Sequence, residues 1–142
     1  MEDMIEMRLL RAIRGLLTER VNELLSELPF HFPLIEFRDH AGRYAVNPKI
    51  TFNTCERTEK ERIILMDAYT LTITFTVPET EDSELFCYVY STAVDKAINE
   101  DVTLSGIADR AVVTGKKYIP PKKSGCGEEW QVTISLRVTV EN

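Results

Sequence analysis

Two stretches of strict alternation constrain this chain more than any other feature. From Ala68 to Val77, the residues Tyr69, Leu71, Ile73, Phe75 and Val77 alternate with Thr70, Thr72, Thr74 and Thr76. A period of two sends successive side chains to opposite faces of an extended backbone, so every large apolar group falls on one side. From Trp130 to Val140 the pattern returns, with Val132, Ile134, Leu136 and Val138 set against Gln131, Thr133, Ser135, Arg137 and Thr139. Each stretch predicts a half-buried strand, and one sheet is expected to contain both. An apolar sheet face left in water forgoes about 25 cal/mol for every Å² it could have buried. The sheet therefore needs a cover, and two helical segments are the candidates.

The first runs from about Asp3 to Leu28, where Ile5, Leu9, Ala12, Ile13, Leu16, Leu17, Val21, Leu24, Leu25 and Leu28 recur at helical spacing among Arg, Glu and Asn. Asp3 fits an N-cap, Gly15 weakens the middle by up to about 1 kcal/mol relative to Ala, and Pro29 ends the helix. Its apolar stripe could cover a sheet face or a partner subunit. The second runs from the acidic Glu81–Glu84 start to about Asn99, with Phe86, Val89, Tyr90, Ala93, Val94, Ala97 and Ile98 as its stripe. Cys87 projects off that stripe and has no adjacent base in sequence, so it is read as no nucleophile.

At 142 residues the chain is one domain, residues 1–142, with one core. The fold class expected is α+β, a two-layer arrangement in which a mostly antiparallel sheet is covered by the long N-terminal helix and the second helix. The apolar runs fall far short of the roughly 20 residues that span a bilayer, so no membrane segment is expected. The start Met1-Glu2-Asp3 lacks a positive region followed by an apolar run, and an intracellular site of synthesis is expected. A net charge of −6 argues for solubility and against broad nucleic-acid binding, leaving any such contact local at most.

Between the helices, Pro29-Phe30-His31-Phe32-Pro33 predicts an extended crossing of a sheet edge, with His31 a packed or partly exposed imidazole. Leu34 to Phe37 predicts a short strand. Lys49 to Glu56 predicts another, followed by a charged break at Arg57-Thr58-Glu59-Lys60-Glu61 and a return strand from Arg62 to Val77 that Pro78 ends. Sixteen extended residues reach roughly 53 Å, against a radius of gyration of about 14 to 15 Å for a compact domain of this length. Either a bulge at Met66-Asp67-Ala68 bends the strand, or the hairpin projects beyond the body and can touch a neighbour. After the second helix, Asn99 to Asp109 is a compact connector, Arg110 to Ile119 a strand interrupted by Gly115, and Pro120 to Gly127 a loop.

Nucleotide-loop, zinc-protease, nucleophile-elbow and EF-hand patterns do not occur. Cys55, Cys87 and Cys126 are odd in number and widely spaced, and read as reduced thiols. No catalytic residue, metal ligand or cofactor is expected. The one basic patch is Lys116, Lys117, Lys122 and Lys123 around Tyr118. It is the candidate contact with a partner or ring neighbour, against the reading that these lysines keep a sheet edge soluble.

The order of helix, hairpin, helix, connector, strand, lysine-rich loop and strand resembles the tail terminator (tail completion) proteins of long-tailed phages and prophages. The resemblance spans roughly Ala68 to Val140, about half of the chain. It rests on Ala93-Val94-Asp95-Lys96-Ala97-Ile98-Asn99, on Thr103-Leu104-Ser105-Gly106-Ile107-Ala108-Asp109 and on Glu129-Trp130-Gln131-Val132. A similar helix, Leu-small-Gly turn and closing strand recur in that family in this order, whereas the hairpin from Lys49 to Val77 departs from it in length. The resemblance implies a structural subunit without enzymatic activity that closes into a ring, usually a homohexamer, on the last ring of the tail tube. Its partners would be further copies of itself, the tail tube protein and the head-tail connector protein. Its place would be the virion tail, and the host cytoplasm during assembly. Two alternatives stand beside it. One is another neck or head-to-tail joining protein. The other is a small ligand-binding or enzymatic α+β domain with a deep pocket gathering Asp67, His31 or Cys55.

Overall fold

The computed structural model describes residues 4–29, 31–37, 45–62, 64–78, 82–121 and 129–141. The two alternating stretches pair with each other: β4 (Ile64–Pro78) and β6 (Glu129–Glu141) run antiparallel from Met66 opposite Glu141 to Pro78 opposite Glu129, with no slip in register. Matched length makes this the spine of the sheet. β3 (Lys49–Glu61) flanks β4 and β5 (Arg110–Ile119) flanks β6, so the order is β3-β4-β6-β5, antiparallel throughout. Leu71, Ile73, Phe75, Ile134, Leu136 and Val138 are all buried on one face. The threonines and Ser135 turn to the other, where Thr74 and Thr133 share a hydrogen bond of 3.2 Å.

Both helices lie over the apolar face, which gives the two-layer α+β fold. The central helix (Ser83–Glu100) buries Tyr90, Ala93, Val94, Ala97 and Ile98 as its spacing predicts. Tyr90 stacks on Phe75, with ring centroids 5.0 Å apart and an interplanar angle of 6°. Its hydroxyl donates to the Pro33 carbonyl at 2.6 Å. Cys87 and Ser91 are buried too, contrary to expectation for Cys87. The helix has the sheet beneath it and the N-terminal helix beside it, so a wider arc than one stripe is covered.

The N-terminal helix is α-helical over Ile5–Leu16, π-helical over Leu17–Val21 and α-helical again over Asn22–Ser26. Its buried residues are Leu9, Ile13, Leu17, Val21 and Leu25, one every fourth position. Four α-helical residues overshoot a full turn by about 40°, so a row with that spacing would wind off the core. The π-helical stretch holds more residues per turn and keeps the row in place. Thr18 marks the transition, its hydroxyl donating to the carbonyls of Arg14 at 2.9 Å and Gly15 at 3.3 Å. The expected cap Asp3 lies outside the described residues.

Residues 31–35, after the first proline, are pinned to the helices. Phe32 meets Phe86 edge-on, and Asn22 clamps Ile35 by accepting its N–H at 2.7 Å and donating to its carbonyl at 3.0 Å. There β1 (Leu34–Ile35) pairs in parallel with β2 (Ala45–Val46). The charged segment read as a break is strand: β3 continues through Arg57 to Glu61. Arg57 stands opposite Asp67 and Lys60 lies 3.8 Å from Glu141 of β6, and the bulges sit between Phe52 and Thr54 and between Glu59 and Glu61 of β3 rather than at Met66–Ala68.

Candidate functional site

A bulge decides the fate of the basic patch. Ala111 and Val113 of β5 oppose Val138 and Leu136 on the helix side of the sheet. The register then slips between Val113 and Gly115, and Lys116 and Tyr118 come to oppose Ile134 and Val132. A one-residue slip exchanges the two faces of a strand, so Lys116 and Tyr118 turn toward the central helix. The Lys116 ammonium pairs with Asp95 at 3.3 Å. Tyr118 and Ser91 share a hydrogen bond of 2.9 Å, and the Tyr118 ring meets Tyr88 edge-on at 5.1 Å. Lys117, opposite Thr133, points to the other face. Lys122 and Lys123 lie outside the described residues. The predicted patch is thus divided: Lys116 and Tyr118 fasten the sheet edge to the central helix, and Lys117 stands apart from them.

The exposed aromatic edge leads into a groove that sequence reading missed. Leu24 and Leu28 at the end of the N-terminal helix and Tyr88, Val89 and Ala93 of the central helix enclose a volume of about 430 Å³. Tyr88 is 44% exposed and Leu28 39%. Glu27 and Lys96 line the groove. Glu84, one turn before Tyr88, accepts the Tyr88 hydroxyl proton at 2.5 Å, and that bond holds the phenol above its ordinary pKa. The one sequence signal for this surface was Tyr88 itself, an aromatic off the predicted stripe.

A second polar cluster sits where β3 and β4 run out from under the helices. Asp67 is buried on the helix-side face of β4 and receives two bonds from Arg57. Next along that face, the Tyr69 hydroxyl donates to Glu6 of the N-terminal helix at 3.4 Å. Burial first, then the Glu6 charge, holds the Tyr69 phenol well above its ordinary range. Cys55 is exposed on the edge strand opposite Tyr69. His31 lies elsewhere, in a separate shallow pocket with Phe32 and Leu34. The three residues that an enzymatic reading would gather are not gathered. Asp67 is occupied by an ion pair with Arg57, and His31 lines a pocket that neither Asp67 nor Cys55 lines.

No protein-family model matches this sequence, and no curated protein matches it. Among the described residues, no group of three or more His, Cys, Asp or Glu side chains is placed to hold a metal ion. Among them, too, no helix is long and apolar enough to cross a membrane.

Proposed function

We propose that this chain is a structural phage or prophage subunit, a tail terminator, which closes as a ring on the end of the tail tube. Bound there, it covers the surface that would accept another tube subunit and offers its far side to the head connector, and no bond is broken. The sequence pattern from residue 68 to 140 supports this reading, and so does the layered α+β body.

The observation that carries it is the edge ribbon of β3. Every residue from 53 to 62 is exposed, although the strand stays paired to β4 on its inner side. Nine exposed strand residues in a row, followed by the exposed turn residue Arg62, add little to a core. Glu56, Arg57, Glu59, Lys60 and Glu61 lie on this ribbon. Edge charges and bulges hinder backbone pairing with a foreign strand, which favours contact through side chains, selective for a surface of matching charge.

The test is tube capping. Purified protein added to polymerising tail tubes should shorten them, and electron microscopy should find it as a ring on one tube end. Tubes that elongate at an unchanged rate and carry no added density overturn the proposal. Binding to portal-connector complexes with no effect on tubes would move the chain to the neck of the particle.

A further inference from the structure

The two ends of the N-terminal helix carry surfaces that suit each other. At its start Met4 and Met7 are 44% and 41% exposed. Single exposed apolar residues are ordinary on protein surfaces, but these two are three positions apart at one helix end. At 100° per residue, Met7, Arg11 and Arg14 fall within an arc of about 60°, opposite the buried row that starts at Leu9, with Arg8 beyond its edge and Met4 preceding the helix as its N-cap. All five are exposed. The helix start is therefore an apolar pair set among three cations.

At the other end of the same helix lies the groove of Leu24, Leu28, Tyr88 and Val89, with an apolar floor and partly exposed walls. Glu27 lines it, Glu84 stands at the Tyr88 end, and Lys96 is the single cation among its lining residues. An apolar trough with Glu27 in its lining and Glu84 beside Tyr88 suits two methionines followed by an arginine. Unbranched, polarizable Met side chains fill irregular apolar gaps well, and laying a helix into such a trough is a recurrent mode of recognition.

The two surfaces cannot meet in one molecule. Met4 and Leu24 are twenty residues apart on one helix, about 30 Å at 1.5 Å per residue. We propose that the helix start of one copy, through Met4 and Met7, docks in the Leu24–Leu28–Tyr88 groove of a second copy, with Arg8 directed to Glu27. Donor and acceptor are different patches of the same chain, so the contact is head to tail. Each copy added presents a new empty groove, and the series closes as a ring when the rotation per copy divides a full turn. This inference rests on the ring reading above and names the contact that builds the ring.

The experiment uses the full chain and two surface variants, Met7→Glu for the helix start and Thr92→Arg for the groove. Both positions are exposed on helices, and circular dichroism checks the fold. Leu28→Asp serves as a second groove variant if Thr92→Arg melts early. Mass is read by light scattering over a concentration series. The wild type should rise above the mass of one chain as concentration rises, and each variant alone should stay at that mass. An equimolar mixture of the two should form a one-to-one dimer and stop, since each pair retains one intact helix start and one intact groove. An oligomer that survives either variant overturns the inference and leaves the ring reading to stand on another face. A wild type that stays at one-chain mass throughout also overturns it, and tube capping then decides the function separately.

Discussion

Arg57 grips Asp67 at two points, Nε to Oδ1 at 2.6 Å and Nη2 to Oδ2 at 2.9 Å. A side chain 58% exposed thereby neutralises a carboxylate only 4% exposed. The two residues stand opposite each other in β3 and β4. Asp67 occupies a position on the helix-side face where the next residues along the strand, Tyr69 and Leu71, are part of the core. The hydrogen bond to Asp67, and then its charge, hold the guanidinium above its ordinary range. Losing one partner of such a pair leaves a buried charge poorly compensated, which is more damaging than losing both. Arg57→Ala should therefore lower the urea midpoint of unfolding, and Asp67→Asn added to it should restore part of the loss. If Arg57→Ala unfolds with the wild type, the pair does not hold the ribbon to the body.

Alkaline pH should loosen the core by a predictable route. Burial, helped by the Glu84 charge, pushes the Cys87 thiol from 9.0 up to about 11. Burial raises the Tyr90 phenol further, well above its ordinary range. Each group ionises to an anion and does so later in the folded chain than in the unfolded one. The stability they confer is complete below the unfolded pKa of Cys87, 9.0, and is lost as pH climbs through the folded value of about 11. Urea midpoints should stay level up to about pH 9 and fall beyond it, with Cys87→Ala flattening the first part of the fall. A wild-type midpoint that holds steady through that window contradicts the assignment.

The two cysteines among the described residues should part company toward thiol reagents. Cys55 is exposed and Cys87 buried. An alkylating agent at neutral pH should modify Cys55 in the native protein, and Cys87 only at the rate of opening. Equal labelling rates would place Cys87 within reach of solvent.

Where side-chain alternation or helical spacing runs long, the fold was legible. Residues 69–77 and 130–140 announced the paired strands β4 and β6, Tyr90 to Ile98 announced the helix above them, and β5 has the bounds its sequence suggested. What escaped depends on partners distant in sequence. Arg57 to Glu61 looks like a break until Asp67 and Met66 are set opposite Arg57 and Thr58. Gly115, read as an interruption of the strand, stands at the slip in register, but only the paired sheet reveals that the slip brings Lys116 to Asp95 while Lys117 faces away. β1 falls inside the short strand expected at Leu34 to Phe37, whereas its two-residue partner β2 is too short for any period to register. The groove needs two helices side by side, and neither helix alone encodes it.

Gly15 lies inside the α-helical part of the N-terminal helix, and a Cβ added there would meet nothing within 4 Å. Glycine in a helix interior is less favourable than alanine by roughly 0.5–1 kcal/mol, because it loses more backbone freedom on folding. Gly15→Ala should raise stability by about that amount, read from denaturant midpoints at unchanged slope. A loss instead would mean that the π-helical stretch beginning at Leu17 needs the looser backbone.

Gly106 poses the opposite case with the same chemistry. In the connector, Leu104, Ser105 and Gly106 all have positive φ, at 49°, 61° and 85°. A left-handed conformation costs residues with a Cβ roughly 1–2 kcal/mol each, so the turn must be held by its surroundings. Leu104 is fully buried. The Ser105 N–H donates to both Asp101 carboxylate oxygens at 3.1 Å, and the Gly106 and Ala108 N–H groups donate to the Thr103 carbonyl at 3.1 and 2.9 Å. As at Gly15, an added Cβ at Gly106 finds open space. With no steric clash at either site, the backbone angle decides the sign. Gly106→Ala should lower stability by about 1–2 kcal/mol, while Gly15→Ala raises it. Measuring both under one set of conditions separates conformational strain from packing, since packing alone would give the two substitutions the same sign.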